Sequence, residues 1–511
     1  MDLLRPATAI LLSGHIGGLF AQTFYDRIYG GFVNDWAHDI AIMEDSTFVI
    51  GGMSSSFVVP GNVADPYLIK CSRDGHVMWS THYDVSNTAY VHDIVAAPGN
   101  RILIGGSNNN IGGWLLMCDA QGTVLWGRYS SSVREFRTLA LAPDSAIYMG
   151  GQTTGSDVNA CIFKLNWTGN PLWSRTFGTG YEDRLTALAA TSDGGVIITG
   201  STLVGGPVQD ATLLKLDALG NVQWSRTYGI PGAGEAFKDV IECQAGGYLA
   251  VGDGISVNGR PFLCRTDANG DTLWMRRYDG YEALVSTVVE TGAGFIVSGE
   301  HHSSQYYPYL FKVNNAGDPL WGMWYTSTDL VSDPGEAVEM GDGRLAVVGN
   351  QNGIGPGATG PRLLVVDSAG QGNYCSGEPI SWPILSTAWQ LGTYGSLLPE
   401  PVSQAWSTPA ISCVTLEDST CVTSIGMPTV PAHEQLHLFP NPTTGLVTLA
   451  GVDKEADCSI TDAMGKAITP PSNLNGDGMV LDLGAFAPGL YQMRVARSGL
   501  APKGLRLVVQ R

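Results

Sequence analysis

At 511 residues the chain exceeds what one small core can organise, so two to three domains are expected. Charged residues make up only 15% and the formal net charge is −19, which argues against a nucleic acid or an anionic lipid surface as partner. The 66 glycines, with no collagen period, imply many tight turns, and 44% hydrophobic residues is ordinary for a soluble protein.

The N-terminus runs from Met1-Asp2-Leu3-Leu4-Arg5 through a modest apolar stretch to Phe20-Ala21-Gln22. A small residue at Ala21 suits cleavage, so residues 1–21 are expected to be a signal peptide. No other window approaches the ~18 apolar residues needed to span a membrane.

Residues 22–375 are a repeat. Asp217-Ala-Leu-Gly220-Asn-Val-Gln-Trp224 recurs as Asp267-Ala-Asn-Gly270-Asp-Thr-Leu-Trp274 and Asp119-Ala-Gln-Gly122-Thr-Val-Leu-Trp126, with looser copies ending at Trp79, Trp173 and Trp321. A glycine precedes each tryptophan by four residues (Gly75, Gly122, Gly169, Gly220, Gly270, Gly317), and a seventh copy at Asp367–Gly370 ends on Tyr374. Each period near 48 residues holds four short apolar runs separated by glycine-rich or polar turns, with no helical pattern. Four antiparallel strands per 40–50 residues describe a propeller blade, so the fold class is all-β: a seven-bladed β-propeller followed by a linker and a small C-terminal β-sandwich. Six or eight blades are the alternatives. Tyr25-Asp-Arg-Ile-Tyr29-Gly30 matches Trp224-Ser-Arg-Thr-Tyr228-Gly229, so an N-terminal strand is expected to complete the last blade and remove an open edge.

The Asp-Ala-x-Gly-x-x-x-Trp segments resemble the tryptophan-docking repeats of quinoprotein-like propellers. That resemblance implies that each indole packs between adjacent blades, a structural task. No adjacent cysteine pair of the kind seen in quinone-cofactor dehydrogenases is present, and no cofactor or metal is expected.

Residues 376–430, rich in Pro, Ser and Thr, read as a linker or small irregular element. Of nine cysteines, Cys71, Cys118, Cys161 and Cys264 fall in apolar strands and read as small core residues. Cys375, Cys413 and Cys421 lie where a disulfide would be useful in an oxidising compartment.

Residues 431–511 change texture. Pro440-Asn441-Pro442-Thr443-Thr444-Gly445 opens a short all-β segment, and a central turn ends in Gly465-Lys466. Pro488-Gly489-Leu490-Tyr491 forms a hairpin, and a basic final strand starts at Lys503. These four features, in this order, resemble the C-terminal sorting domain of type IX secretion cargo. The resemblance implies export to the periplasm and passage across the outer membrane. There a sortase-like protease removes the domain, and the cargo is released or joined to the cell surface.

His433-Glu434-Gln-Leu-His437 matches a zinc-protease pattern, but that chemistry needs a helix. Pro431 and Pro440 bracket the segment, and on an extended strand residues four apart lie ~13 Å from each other, too far to share one zinc. Asp39, Asp93, Asp239 and Glu336 recur at one repeat position, with His38 and His92 before two of them, and read as partners of strand-end amides. Lys70, Lys164, Lys215, Arg265 and Lys312 recur likewise and read as architectural.

The most distinctive loop candidate for ligand contact is His301–Tyr309, where Tyr306, Tyr307 and Tyr309 would stack on a sugar or grip a peptide. No catalytic motif emerges. The expectation is a secreted or cell-surface propeller that binds an extracellular glycan or protein through the longer loops of one face, at residues 107–113, 153–157, 201–210, 253–260, 301–308 and 350–361. An extracellular glycan hydrolase or lyase, or a non-catalytic envelope or motility scaffold, are the alternatives.

Overall fold

The computed structural model describes residues 23–372, apart from short loop stretches of which 326–335 is the longest, and strands with adjoining residues between 377 and 509. The expected signal peptide, residues 1–21, lies outside the described residues. The chain divides into two units, residues 1–425 and 426–511. Every regular element among the described residues is a strand.

The first unit is a ring of seven antiparallel blades. Blade 1 shows the plan: strand A is Asp35–Ile42, B is Phe48–Ser54, C is Asp65–Cys71 and D is Val77–Tyr83. Blades 2 to 6 occupy residues 89–130, 133–178, 183–229, 235–278 and 282–325. Blade 7 takes its A, B and C strands from Glu336–Glu339, Leu345–Asn352 and Thr359–Val366, and its D strand from Thr23–Gly30 at the other end of the chain. Tyr25 pairs with Val365 and Ile28 with Arg362, and the buried Arg362 guanidinium holds Asp26 by two hydrogen bonds of 2.8 and 2.6 Å. The ring is therefore closed by the expected N-terminal strand.

Alternation along the strands gives each blade two apolar faces. Each junction between blades holds its own core, such as Tyr228, Phe237, Phe262 and Cys264 between blades 4 and 5. Burying each of these aromatic side chains contributes roughly 1.5–3 kcal/mol.

The tryptophans fasten the junctions from outside. Trp79, Trp173, Trp224 and Trp274 donate from Nε1 to the carbonyls of Ala120, Ala218, Ala268 and Asn315, in the C–D turn of the next blade, at 3.0–3.2 Å. In that turn the repeat glycine lies under the indole with φ near +80°. A Cβ on Gly270 would come within 2.7 Å of the Trp224 ring, and Gly169 and Gly370 stand the same way under Trp126 and Trp321. Only glycine meets both demands. In blade 7 Tyr25 takes the tryptophan's place, over Gly75.

Residues 376–430 are where the structure departs from the expected linker. Seven short strands run once around the rim: Gly377–Pro379, Ile384–Leu385, Gln390–Gly392, Ser396–Leu398, Gln404–Trp406, Ala410–Cys413 and Leu416–Ser424. In that order they pair antiparallel with the D strands of blades 6, 5, 4, 3, 2, 1 and 7. Each outer edge is thus paired with a fifth strand, along the whole D strand in blade 7 and over its last few residues in the other blades, which satisfies part of the backbone that would otherwise invite another chain. Successive strands begin 6 to 8 residues apart, an extended reach of about 20–28 Å that suits one step from blade to blade.

The second unit is the expected sandwich. One sheet orders His437–Phe439, Leu446–Ala450, Gly478–Asp482 and Ser472–Asn475; the other orders Ala467–Ile468, Asp457–Thr461, Gly489–Ala496 and Lys503–Val509. Leu449 and Leu481 from the first meet Ile460, Tyr491, Met493, Val495 and Val509 from the second in one core.

Candidate functional site

The innermost strand of each blade lines the central channel, and a local device aims its side chains there. In blades 1 to 6 the A–B register slips by one residue, between Ala37 and Asp39, Val91 and Asp93, Phe136 and Thr138, Leu185 and Ala187, Phe237 and Asp239, and Val285 and Thr287. Opposite each slip strand B carries a glycine. A Cβ on Gly52 would lie 1.7 Å from the Trp36 carbonyl oxygen, and one on Gly200 1.8 Å from that of Arg184. The bulge frees one residue per blade from pairing. These residues are His38, His92, Arg137, Thr186, Lys238 and Ser286, and all six line a channel cavity of about 490 Å³.

The residue after the bulge clasps the next blade. Asp39 accepts the amide of Ile94 at 2.7 Å, Asp93 that of Leu139 at 2.6 Å, and Asp239 that of Val288 at 2.9 Å together with the Thr287 hydroxyl at 2.7 Å. In blade 3 Thr138 Oγ1 accepts from Leu188 at 3.2 Å. Asp39, Asp93 and Asp239 therefore satisfy strand amides, as their recurrence implies. Burial, with Asp39 beside it, pushes Asp93 well above the ordinary carboxylate value. Burial likewise lifts Asp39 to about 6, raises Asp239, and raises Glu336 well above its usual value. Burial holds His38 and His92 down near 4, so both are neutral at physiological pH.

Where the channel opens, at the end where strand A begins and strand B ends, a second cavity of about 370 Å³ spans blades 3 to 6. It shares Arg137, Thr186, Lys238 and Leu284 with the channel, so the two spaces are continuous. Its walls carry Arg134, Arg137, Arg184 and Lys238, interleaved with Glu135, Glu182 and Asp253. Arg137 holds Glu135 at 3.1 Å, Arg184 holds Glu182 at 2.8 Å, and Lys238 stands 3.6 Å from Asp253. Arg134 is exposed and has no ion pair among the described residues. Gln152 and Ser201, both buried, and Gln209 add hydrogen-bonding groups; Ser201 donates to Gln209 at 3.1 Å. This opening is on the side of the expected B–C loops, although parts of those loops, residues 156–157, 204–207, 255–258, 303–305 and 353–357, lie outside the described residues.

Ser107, His92 and Glu135 match a nucleophilic triad by residue type only. Ser107 Oγ and Glu135 both address Nε2 of His92, at 2.8 and 3.6 Å. A triad needs the acid on the opposite ring nitrogen, where it orients the base.

The predicted loop residues fare differently. Tyr309 is fully buried, packed with Phe311 in the core between blades 5 and 6, so it is a packing residue and not a ligand contact. Strand alternation accounts for this: the C strand begins at Tyr306, earlier than a loop reading allows. Tyr307 is half-buried and pairs across the hairpin with His301, whose ring stacks on Trp324 at 4.7 Å. The side chain of Tyr306 lies outside the described residues.

Lys70, Lys164 and Lys215 are buried, and their ammonium groups reach Asp45, Asp144 and Asp193 at 3.1, 3.3 and 2.9 Å. Cys71, Cys118, Cys161 and Cys264 are buried thiols, as is Cys243. The side chains of Cys375, Cys413 and Cys421 lie outside the described residues.

In the sandwich, Tyr491 donates to the Ala487 carbonyl at 2.8 Å and packs edge-on against Phe486. Gly489 and Lys503 open the last two strands of their sheet. Pro440, Asn441, Pro442, Thr443, Gly445, Gly465, Lys466 and Pro488 lie outside the described residues, as do His433 and Glu434. His437 starts a strand opposite Ala450, which is extended backbone and not the helix that zinc chemistry needs.

The mouth residues Arg134, Glu135, Arg184 and Lys238 escape sequence reading because they sit where the repeat varies. Aligning the bulge position across blades, from His38 and His92 to Arg137 and Lys238, is the signal that finds them.

Residues 437–509 match the family described as "Secretion system C-terminal sorting domain". No curated protein matches the chain in sequence. Among solved structures, the WD40 domain of Neurospora crassa Pan2 is 11% identical, covers 64% of this chain and 88% of its own, and has a TM-score of 0.41. The polysaccharide lyase Uly1 is 10% identical, with coverage of 65% and 90% and a TM-score of 0.43. A Dyadobacter fermentans protein of unknown function is 10% identical, with coverage of 68% and 98% and a TM-score of 0.42. No helix among the described residues is long and apolar enough to cross a membrane. The chain is a seven-bladed β-propeller carrying the C-terminal sorting domain of the type IX secretion route, which directs it to the cell surface or beyond.

Proposed function

We propose that the propeller is an extracellular binding module that engages a glycan or protein at the channel mouth, on the side of the long loops. The observation that carries this reading is the 370 Å³ cavity whose wall residues break the repeat. Positions that only hold the ring together keep their residue type from blade to blade, as the docking glycines do. The mouth positions do not: where blade 1 has Trp36 and His38 and blade 2 has Tyr90 and His92, blade 3 has Glu135 and Arg137, and blade 5 has Ala236 and Lys238. A concave, pre-formed site with a few converging polar groups is how folds of this kind hold small ligands or the ends of larger ones.

A second reading, a glycan hydrolase or lyase, draws on Asp39, whose carboxyl at about 6 lies in the range useful to a general acid. Against it, both Asp39 oxygens already accept backbone amides, from Ile40 and Ile94. The secreted chain, screened on glycan and protein arrays with product release followed alongside, separates these readings. Binding without turnover supports the module, turnover abolished by a single acidic substitution supports the enzyme, and neither result would favour an envelope or motility scaffold.

A further inference from the structure

We propose that the mouth cavity is a site for an acidic polysaccharide, whose anionic groups lie against Arg134, Arg184 and Lys238 and whose hydroxyls reach Glu135, Glu182 and Gln209. This narrows the binding-module reading and rests on it.

The chain carries 28 basic residues against 47 acidic ones, yet four basic side chains converge on this one cavity. Three of them are already held by carboxylates, which fixes their positions and leaves guanidinium and ammonium N–H groups free to donate. Arg134, exposed, adds a cation that makes no ion pair among the described residues.

The interleaved carboxylates decide the ligand class. A polyanion lacking hydroxyls, such as an acidic peptide, would meet Glu135, Glu182 and Asp253 as like charges. A sugar that carries both an anion and hydroxyls uses both signs of the wall: cations for its anion, carboxylates for its O–H donors. In the channel beneath, burial holds Asp93 and Glu336 toward their neutral forms and His92 is neutral, so these three groups add little charge to the floor. Trp36 and Tyr90, half-buried, occupy the repeat position of Glu135 and Arg184 in blades 1 and 2, so the ring of mouth residues turns from aromatic to charged between blades 2 and 3. A charged sugar extending from the cavity toward blades 1 and 2 would meet these aromatic side chains. Carboxylated and sulfated glycans share this chemistry.

The test titrates the full secreted chain with sodium alginate, dextran sulfate, neutral dextran and poly-L-glutamate. Binding to alginate or dextran sulfate is expected, weakened by added salt, with dextran and poly-L-glutamate at least about tenfold weaker. The stronger of the two acidic polymers identifies carboxylate or sulfate as the preferred group. Arg134→Ala with Arg184→Ala should lower that affinity about tenfold or more while leaving the unfolding midpoint within a few degrees. If the pair disturbs folding, Arg134→Ala alone replaces it, since that side chain is exposed. Equal binding of dextran, acidic-glycan binding indifferent to the arginine substitutions, or no binding of either acidic polymer would overturn the proposal. A neutral glycan or protein hit on the arrays beside such a null would leave the module reading standing; no ligand of any kind would remove both.

Discussion

At the scale of single residues, the repeat glycines show how much a sequence motif can carry. Gly270 needs a left-handed backbone and also room beneath Trp224, whereas Gly246 has a similar φ of +81° and open space, with nothing within 4 Å of the point a Cβ would occupy. Gly246→Ala should therefore cost only the left-handed penalty of about 1–2 kcal/mol. Gly270→Ala should cost clearly more, because the indole must leave its place; chemical denaturation of the two variants measures the difference. Glu235 offers a pH test. Its side chain is 2% exposed, one oxygen accepts from Ile230 at 3.1 Å, and burial raises its carboxyl from 4.5 to about 7. The folded state holds this proton more tightly than the unfolded one, so the stability it confers is full below about 4.5 and is lost as pH rises through 7. With each tenfold change in proton affinity worth ~1.4 kcal/mol, Glu235→Gln should stabilise by about 2–3 kcal/mol at pH 8 and do little at pH 5. An equal change at both values would show that ionisation is not the cause. The glycines were legible because a turn restricts residue type; the burial of Tyr309 was not, because one tyrosine in a polar run reads the same whether it points in or out.

At the scale of elements, the four-strand blade was legible from glycine and tryptophan spacing, and so was closure by Thr23–Gly30. The rim strands of residues 377–424 were not. They are two to nine residues long, and backbone pairing with a neighbouring strand requires no alternation of side chains, so it leaves little trace in sequence. Ending the chain at residue 372 should lower the unfolding midpoint and promote self-association through the bared D strands, relative to a chain ending at 425. Calorimetry with light scattering reads both, and identical behaviour of the two chains would deny the rim strands a stabilising role. The closing strand has its own latch. Asp26→Asn leaves the buried Arg362 charge without its counterion and should cost roughly 3–5 kcal/mol, seen as a lower denaturation midpoint.

At the scale of the whole molecule, the export domain and the ring divide the labour. The sorting domain was legible from its ordered motifs, and removing residues 437–509 should leave the propeller inside a type IX-competent cell, detected by fractionation of periplasm and medium. The mouth of the ring was the least legible part. Its residues come from four different blades at positions where the repeat diverges, and only the closed ring brings Arg134, Arg184 and Lys238 around one space. The most direct measurement is a crystal structure of the secreted chain with an acidic oligosaccharide of the class it binds. The sugar is expected in the mouth cavity, its anion against Arg134, Arg184 or Lys238; a ligand seated on the rim strands or at the opposite opening of the channel would overturn the assignment of the binding site.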